Sequence, residues 1–331
     1  MADYININGN NIPIRASDPS NPIVGEIWYN STTNALKGQI FSTSGSWSTS
    51  GAMNTGRNQV SGLGTLTAGL AAGTQSPEPN QVLTEEYNGT SWAVGGNLNN
   101  GRADLNTFGV QTAGIAAAGD DFPAAPRGTT AAEEYNGSAW TSINPTVGGS
   151  YEGGGGAAMG TQTSGLIVGG RTGPAVSYTN ATQEYDGTSF SSGTNYPSVV
   201  QGSMLFGTSI TSSISAGGDS PGGILTGAFS YDGSTWTSIN GPTDSRYVGV
   251  GAGTNTVGLI FGGASGSPDS RTQTETFDGT CFAADTNMAN PRNGFAGGKV
   301  SGTSTWAAGG APGATENYTG AGAATVTISS S

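Results

Sequence analysis

The chain has 331 residues, of which 34% are hydrophobic and 10% are charged, and its formal net charge is −12. Its basic residues form no cluster, which argues against nucleic-acid binding, and no apolar run approaches the roughly 18 residues of a membrane helix. With no histidine and a single cysteine, Cys281, the chain has no thiolate metal cage, no intrachain disulfide and no imidazole base. We therefore expect no nucleic-acid or membrane partner, no cofactor and no metal site.

The first predicted elements lie in residues 1–44, which we interpret as a short β module that acts as an anchor. Residues 19–47 read PSNPIVGEIWYNSTTNALKGQIFSTSGSW, in which Ile-Trp-Tyr-Asn, a Ser/Thr turn and a Leu-containing strand succeed one another. This stretch resembles a segment common in tail fibres and other virion proteins of bacteriophages. The resemblance implies attachment to other virion proteins through this segment.

From residue 45 onward the chain is dominated by a repeat. An octet occurs as EEYNGTSW at 85–92, EEYNGSAW at 133–140, QEYDGTSF at 183–190, FSYDGSTW at 229–236 and ETFDGTCF at 275–282. Asn-Gly or Asp-Gly between strand-forming residues predicts a tight β-hairpin. The aromatic residues on the two predicted strands are structural: Tyr87, Tyr135, Tyr185, Tyr231, Phe277 and Tyr318 on the first, and Trp92, Trp140, Phe190, Trp236, Phe282 and, from the N-terminal side, Trp47 on the second.

Two further patterns complete each repeat. Short apolar runs that end in glycine, such as GLIVGG at 165–170 and GLIFGG at 258–263, predict strands that are buried on both faces. After each hairpin a polar linker, often ending in arginine, leads into a glycine-rich strand such as RYVGVGAG at 246–253. Each repeat of 41–51 residues therefore contains four predicted strands, and units of this kind indicate a β-propeller.

The order of Gly-Gly, Tyr, Trp and trailing Arg resembles the kelch repeat over about residues 47–318. Glycine-rich kelch-like virion proteins are also known from marine bacteriophages, and this chain resembles them in composition. We predict an all-β fold, a six-bladed kelch-like β-propeller over 45–331, with seven blades as the alternative, following the N-terminal segment at 1–44. The stretch at 45–57 matches later outer strands, so we expect it, rather than ATVTISS at 324–330, to complete the last blade.

The longest irregular loops, 74–82, 119–130 and 171–180, all follow a Gly-Gly strand and are expected on one face. Loops on a rigid scaffold commonly carry recognition. The acidic turns at Asp120-Asp121, Asp219 and Asp269 lack the dense carboxylate pattern of a calcium loop, so we interpret them as solvated turns. The candidate recognition residues are Asp120, Asp121, Phe122, Arg171, Tyr178 and Asp219.

The two resemblances to phage proteins imply a non-enzymatic structural protein of a phage virion. It would be a tail-fibre, baseplate-associated or head-decorating component whose propeller attaches to a glycan or protein on the host surface. Two alternatives stay open: a propeller enzyme that degrades polysaccharide, and an intracellular scaffold for partner proteins. An oligomer is compatible with the sequence, although no heptad pattern specifies one.

Overall fold

Strands account for almost all regular structure in the part of the chain that the computed structural model describes. That part comprises residues 12–20, 22–23, 25–42, 44–76, 80–121, 128–147, 151–152, 158–172, 177–266, 269–310 and 314–328. A single 3-10 turn at Asn80–Val82 is the exception among them. The strands are β1 Ile14–Arg15, β2 Ile27–Asn30, β3 Ala35–Ser42, β4 Ser46–Ser50, β5 Ser61–Thr65, β6 Ala68–Ala72, β7 Thr84–Tyr87, β8 Trp92–Val94, β9 Asn106–Val110, β10 Ala113–Ala117, β11 Ala132–Tyr135, β12 Trp140–Ile143, β13 Tyr151–Glu152, β14 Ala158–Thr161, β15 Ser164–Val168, β16 Arg171–Thr172, β17 Ser177–Tyr178, β18 Thr182–Tyr185, β19 Phe190–Ser192, β20 Met204–Ser209, β21 Ser212–Ala216, β22 Asp219–Ser220, β23 Gly223–Ile224, β24 Ala228–Tyr231, β25 Trp236–Ile239, β26 Val250–Gly253, β27 Gly258–Phe261, β28 Thr274–Phe277, β29 Phe282–Asp285, β30 Ala296–Gly297, β31 Ser304–Ala308, β32 Thr315–Thr319 and β33 Gly322–Thr327.

The chain divides into two compact units, and the smaller one combines Met1–Gly45 with Gly320–Ser331. Its sheet has the strand order β1-β2-β3-β33. The indole N–H of the buried Trp28 donates to Asp18 Oδ1 at 2.9 Å and anchors the preceding loop. Our sequence-based boundary at 45–331 differs from this division, because β33 pairs with β3 and thereby joins the N-terminal unit.

The larger unit, Ser46–Thr319, contains six four-stranded antiparallel sheets among its described residues. We number them sheet 1 (β5–β8), sheet 2 (β9–β12), sheet 3 (β14, β15, β18, β19), sheet 4 (β20, β21, β24, β25), sheet 5 (β26–β29) and sheet 6 (β30, β31, β32, β4). The outer strand of sheet 6 is β4, which pairs with β32 so that Trp47 lies opposite Tyr318. Sheets 3 and 4 each carry added short strands, β16–β17 and β22–β23, between their second and third strands.

The apolar core of this unit lies between sheets. Six clusters of buried side chains each combine residues from two consecutive sheets. One of them joins the last sheet to the first, since it contains Trp306 of sheet 6 with Tyr87 and Trp92 of sheet 1. Glycines on the second strands make room for these contacts: a Cβ on Gly69 would lie 2.4 Å from the Trp306 indole nitrogen.

The Gly-Gly pair has a specific backbone role. Its first residue has positive φ, as Gly169 (65°) and Gly262 (63°) do, and the N–H of its second residue donates to a carbonyl of the next sheet. In sheet 6 this is the bond from Gly310 N to Arg57 O of sheet 1, at 2.9 Å. In sheet 1 the residues that play this role are Gly73 and Thr74, because Gly73 has φ 72° and Thr74 N donates to Arg102 O.

Side-chain hydrogen bonds also link consecutive sheets. The indole N–H groups of Trp47, Trp92 and Trp140 donate to threonine hydroxyls on the third strand of the preceding sheet. The acceptors are Thr274 at 3.0 Å, Thr315 at 2.8 Å and Thr84 at 2.9 Å, respectively.

Donor and acceptor change together along the chain. Where phenylalanine replaces tryptophan, as at Phe190 and Phe282, the threonine position of the preceding sheet is Ala132 or Ala228, and the two side chains share a core cluster. Trp236 departs from the pattern, because its indole donates to the carbonyl of Thr194 instead. At five of the six junctions between consecutive sheets, these two positions therefore hold either a hydrogen-bonded Trp–Thr pair or an apolar Phe–Ala pair.

Four buried Arg–Glu pairs fix the linkers that lead into the first strands. They are Arg57–Glu85 at 3.1 Å, Arg102–Glu133 at 2.8 Å, Arg246–Glu275 at 2.9 Å and Arg292–Glu316 at 3.2 Å. The carboxylates also accept backbone N–H groups of the linkers, as Glu85 does from Asn54 at 2.8 Å. Burial lowers the pKa of Arg57 to about 10 although Glu85 opposes the shift, so this guanidinium stays charged at neutral pH.

Sheets 3 and 4 have lost both partners of this pair. Gln183 and Phe229 occupy the glutamate position, and the sequence has no arginine between Arg127 and Arg171, before sheet 3, or between Arg171 and Arg246, before sheet 4. In sheet 4 an aromatic cluster takes its place, in which Tyr196 makes edge contacts with Phe229 at 5.1 Å and Trp236 at 4.9 Å between ring centroids.

We expect Trp140 and Thr84 to be energetically coupled. Trp140→Phe and Thr84→Ala each leave one buried polar group without its partner and should lower the free energy of unfolding by about 1–2 kcal/mol. The double variant reproduces the Phe–Ala pairs found at other junctions and should lose less than the sum. Urea unfolding of the four proteins measures this coupling, and strict additivity would contradict it.

We expect Glu133→Ala to destabilise the protein by about 3–5 kcal/mol, because it leaves the buried Arg102 guanidinium uncompensated. Arg102→Leu with Glu133→Leu should cost less than Glu133→Ala alone. Glu134→Ala, on the same strand but with a partly exposed side chain, is the control and should cost less than about 1 kcal/mol. Denaturant unfolding distinguishes these cases, and equal losses for Glu133→Ala and Glu134→Ala would refute the assignment.

Candidate functional site

A polar cavity of about 300 Å³ lies where the first strands of the sheets begin. Segments from sheets 1, 2, 3, 4, 5 and 6 converge on it, and its lining is mainly amide, carboxylate and guanidinium groups. The lining residues are Gln59, Gln75, Asp104, Asp120, Arg171, Gln201, Tyr247, Val248, Ala264, Asn293 and Gly294. Its size falls at the lower end of the range for small-molecule sites.

The backbone around this cavity is held in an unusual conformation. Gln59, Asp104 and Val248 have φ values of 48°, 49° and 51°, and all three line the cavity. Each stands two residues after a buried arginine of the Arg–Glu pairs. A β-branched residue such as Val248 rarely adopts positive φ, and strain of this kind is typical of ligand sites.

One side of the cavity is formed by a hydrogen-bonded cluster from sheets 3 and 4. The Tyr178 hydroxyl donates to Asp219 Oδ2 at 2.9 Å, and Gln201 Nε2 donates to the same oxygen at 3.0 Å and to the Tyr178 hydroxyl at 3.2 Å. The Arg171 guanidinium lies 5.6 Å from the centre of the Tyr178 ring. Burial and the bond to Asp219 raise the pKa of Tyr178, so its hydroxyl stays protonated as the donor.

Several polar atoms of the lining are buried but have no hydrogen-bond partner among the described residues. They are Oε1 of Gln59, Oε1 of Gln201 and Nε of Arg171. The orientation of the Gln201 amide follows from its two acceptors, so its oxygen is the atom left over. Because Gln201 is only 2% exposed, an unsatisfied oxygen there is costly unless something in the cavity donates to it.

The sequence-based candidates fall into three groups. Asp120 and Arg171 line the cavity, and Tyr178 and Asp219 support it through Gln201. Asp121 instead accepts the N–H of Gly128 at 2.9 Å and does not line it. Phe122 lies outside the described residues.

Sequence reasoning missed the innermost residues. Gln59, Asp104, Gln201 and Asn293 belong to short linkers rather than to the long loops on which we concentrated. The signal that identifies them is their place in the repeat, because each of them follows the arginine position by one or two residues. A repeat aligned on arginine would have brought these polar positions together.

A second cavity, of about 370 Å³ and mainly apolar, lies at the opposite ends of the first strands, among the turns that follow them. Lys299 lines it, and its amine donates to the carbonyls of Thr107 at 2.9 Å and Ala158 at 3.2 Å. These carbonyls belong to sheets 2 and 3, whereas Lys299 follows the first strand of sheet 6. Burial lowers the pKa of this amine to about 7.

Among the residues with described positions, no group of three or more histidine, cysteine, aspartate or glutamate side chains is arranged to hold a metal ion. Within the same part of the chain, no helix has the length and hydropathy needed to cross a membrane.

We expect the stability of the protein to rise with pH between about 7 and 9.5 because of Lys299. In this range the unfolded lysine keeps its proton, with a pKa near 10.4, whereas the folded amine releases it, so higher pH favours the folded state. The gain should be about 3 kcal/mol and should disappear in Lys299→Met. Urea unfolding at several pH values tests this; Lys37→Met, which removes the other lysine, should retain the gain.

Comparison with protein-family models finds no match to this chain, and comparison with curated protein sequences finds none either. Comparison with solved structures does find similarity. The chain resembles the protein described as "Structure of YjhT" with a TM-score of 0.63 and 11% identity, over 84% of this chain and 96% of that one. At this identity the similarity concerns the fold alone, and it indicates that the chain has an all-β, β-propeller-like architecture.

Proposed function

We propose that Ser46–Thr319 is a closed, six-bladed β-propeller with kelch-like repeats. The six four-stranded sheets support this count. Three contacts between sheet 6 and sheet 1 support closure: the shared aromatic core, the bond from Trp92 to Thr315, and the bond from Gly310 N to Arg57 O. Strand β4 then completes the sixth blade from the N-terminal side of the chain.

We further propose that the protein is a non-enzymatic component of a phage virion, in a tail fibre, a baseplate or a head decoration, and that it attaches to the host surface. The N-terminal unit would bind other virion proteins, as its resemblance to tail-fibre segments implies. The observation that carries the attachment role is the polar cavity, because unpartnered amide oxygens of Gln59 and Gln201 converge there on a rigid scaffold. Hydroxyl-rich host glycans supply the donors that such oxygens lack.

The alternative of a polysaccharide-degrading enzyme has less support. The glutamates that recur along the chain, such as Glu85 and Glu133, are buried in ion pairs with arginine. They are therefore committed to the scaffold, and a glycosidase needs carboxylates that flank the sugar. The intracellular scaffold does not account for the fibre-like N-terminal segment.

We expect this chain to be present in purified, washed virions, where mass spectrometry detects it. We also expect the purified protein to bind host cells and to slow adsorption of the phage in competition assays. The protein with Gln59→Leu and Gln201→Leu should compete less well than the wild type, because it lacks the two amide oxygens that have no partner among the described residues. Absence of the chain from virions would end the virion proposal.

A further inference from the structure

The polar cavity is asymmetric within an otherwise repeated scaffold. Sheets 3 and 4 lack the Arg–Glu pair, and the same two sheets carry the inserted strands β16–β17 and β22–β23. The insertions supply Arg171 and Tyr178, which no other repeat reproduces, together with Asp219, whose repeat position is also an aspartate in sheet 2, Asp120. One wall of the cavity has therefore diverged from the repeat, whereas the linkers of sheets 1, 2, 5 and 6 keep the common arrangement.

The chemistry of this wall restricts what it can bind. Gln201 presents a buried acceptor, Oε1, and Arg171 presents a donor, Nε. A hydroxyl group can donate to the first and accept from the second, so a sugar with neighbouring hydroxyls satisfies both. A carboxylate or phosphate could accept only, and it would leave the Gln201 oxygen without a donor.

The charges around the cavity disfavour anionic ligands, because Asp104 and Asp120 line it together with Arg171. An ammonium group is disfavoured by hydrogen bonding instead, since it can only donate and would leave Arg171 Nε without an acceptor. The net charge of −12 disfavours the approach of anions further. On the opposite side Gln59 donates its Nε2 hydrogen to Asp104 at 2.9 Å, which leaves its own Oε1 as a second acceptor for a ligand hydroxyl.

We propose that this cavity binds one uncharged sugar unit and that the wall formed by sheets 3 and 4, with Gln201 at its centre, determines which sugar is bound. The inference rests on the proposed attachment function and identifies its ligand class. Gln201 acts through direct contact with a hydroxyl, whereas Tyr178 and Asp219 are positioning residues that hold its amide in place. The volume of about 300 Å³ limits the buried part of the ligand to about one ring.

The test uses the full chain and a panel of methyl glycosides: neutral glucose, galactose, mannose and N-acetylglucosamine, anionic glucuronic acid and cationic glucosamine. Isothermal titration and saturation-transfer NMR should detect binding of at least one neutral glycoside. Its charged counterparts should bind at least tenfold more weakly. Binding only by the anionic or the cationic glycoside would overturn the proposal.

Variants then assign the binding to this wall. Gln201→Leu should weaken the neutral glycoside at least tenfold, and Asp219→Asn should change the preference among neutral sugars. Gln111→Leu, at a turn far from the cavity whose amide donates to the carbonyl of Gly69, is the matched control and should bind like the wild type. Unfolding curves verify that Gln201→Leu is folded. Arg171→Gln, at the other lining residue of this wall, offers a second variant that should weaken binding.

Failure of this inference is distinguishable from failure of the attachment function. If the protein binds host cells but no neutral glycoside binds, or Gln201→Leu binds as tightly as Gln111→Leu, the ligand assignment is wrong while attachment stands. If neutral glycosides bind through Gln201 but the chain is absent from virions, the ligand assignment stands without the virion role.

Discussion

The structure depends on one constraint: each four-stranded sheet of the larger unit has two faces to bury and cannot cover either by itself. The solution is to place the core between sheets, where tyrosine and tryptophan of one sheet meet apolar strands of the preceding one. A face-to-face arrangement needs accurate spacing. In sheets 1, 2, 5 and 6 the buried Arg–Glu pairs supply it by fixing the linker to the sheet that follows. For Arg57, Arg102 and Arg292, burial of the charge is tolerated because backbone carbonyls also accept hydrogen bonds from the guanidinium.

The repeat made much of this architecture predictable. Asn-Gly hairpins, Gly-terminated apolar runs and the match between residues 45–57 and 90–102 specified four-stranded units and the partner of β32. The pairing of ATVTISS was harder to predict, because the alternation of apolar and polar residues predicts a strand but does not indicate the strand with which it pairs. Its pairing with β3 depends on where the N-terminal unit leaves a free sheet edge, which is a tertiary property.

The candidate site was only partly predictable for a related reason. We took the candidate residues from the long polar loops, and two of them, Asp120 and Arg171, do line the cavity. Gln201 looks like an ordinary linker residue, and its importance arises from the hydrogen bonds to Tyr178 and Asp219, which are contributed by different sheets. The loss of the Arg–Glu pair was the better guide, because the two sheets that lack it, sheets 3 and 4, are also the sheets that carry the inserted strands β16–β17 and β22–β23.

The pairing of β4 with β32 has a consequence for biosynthesis. The two strands lie at opposite ends of Ser46–Thr319, so the ribosome releases β4 long before its neighbour exists. Until β32 emerges, β4 has no partner strand, and its free edge is a template with which β32 of a second copy can pair. Crowded polysomes therefore favour exchange of β4 between chains, whereas slow, dilute production favours the self-contained monomer.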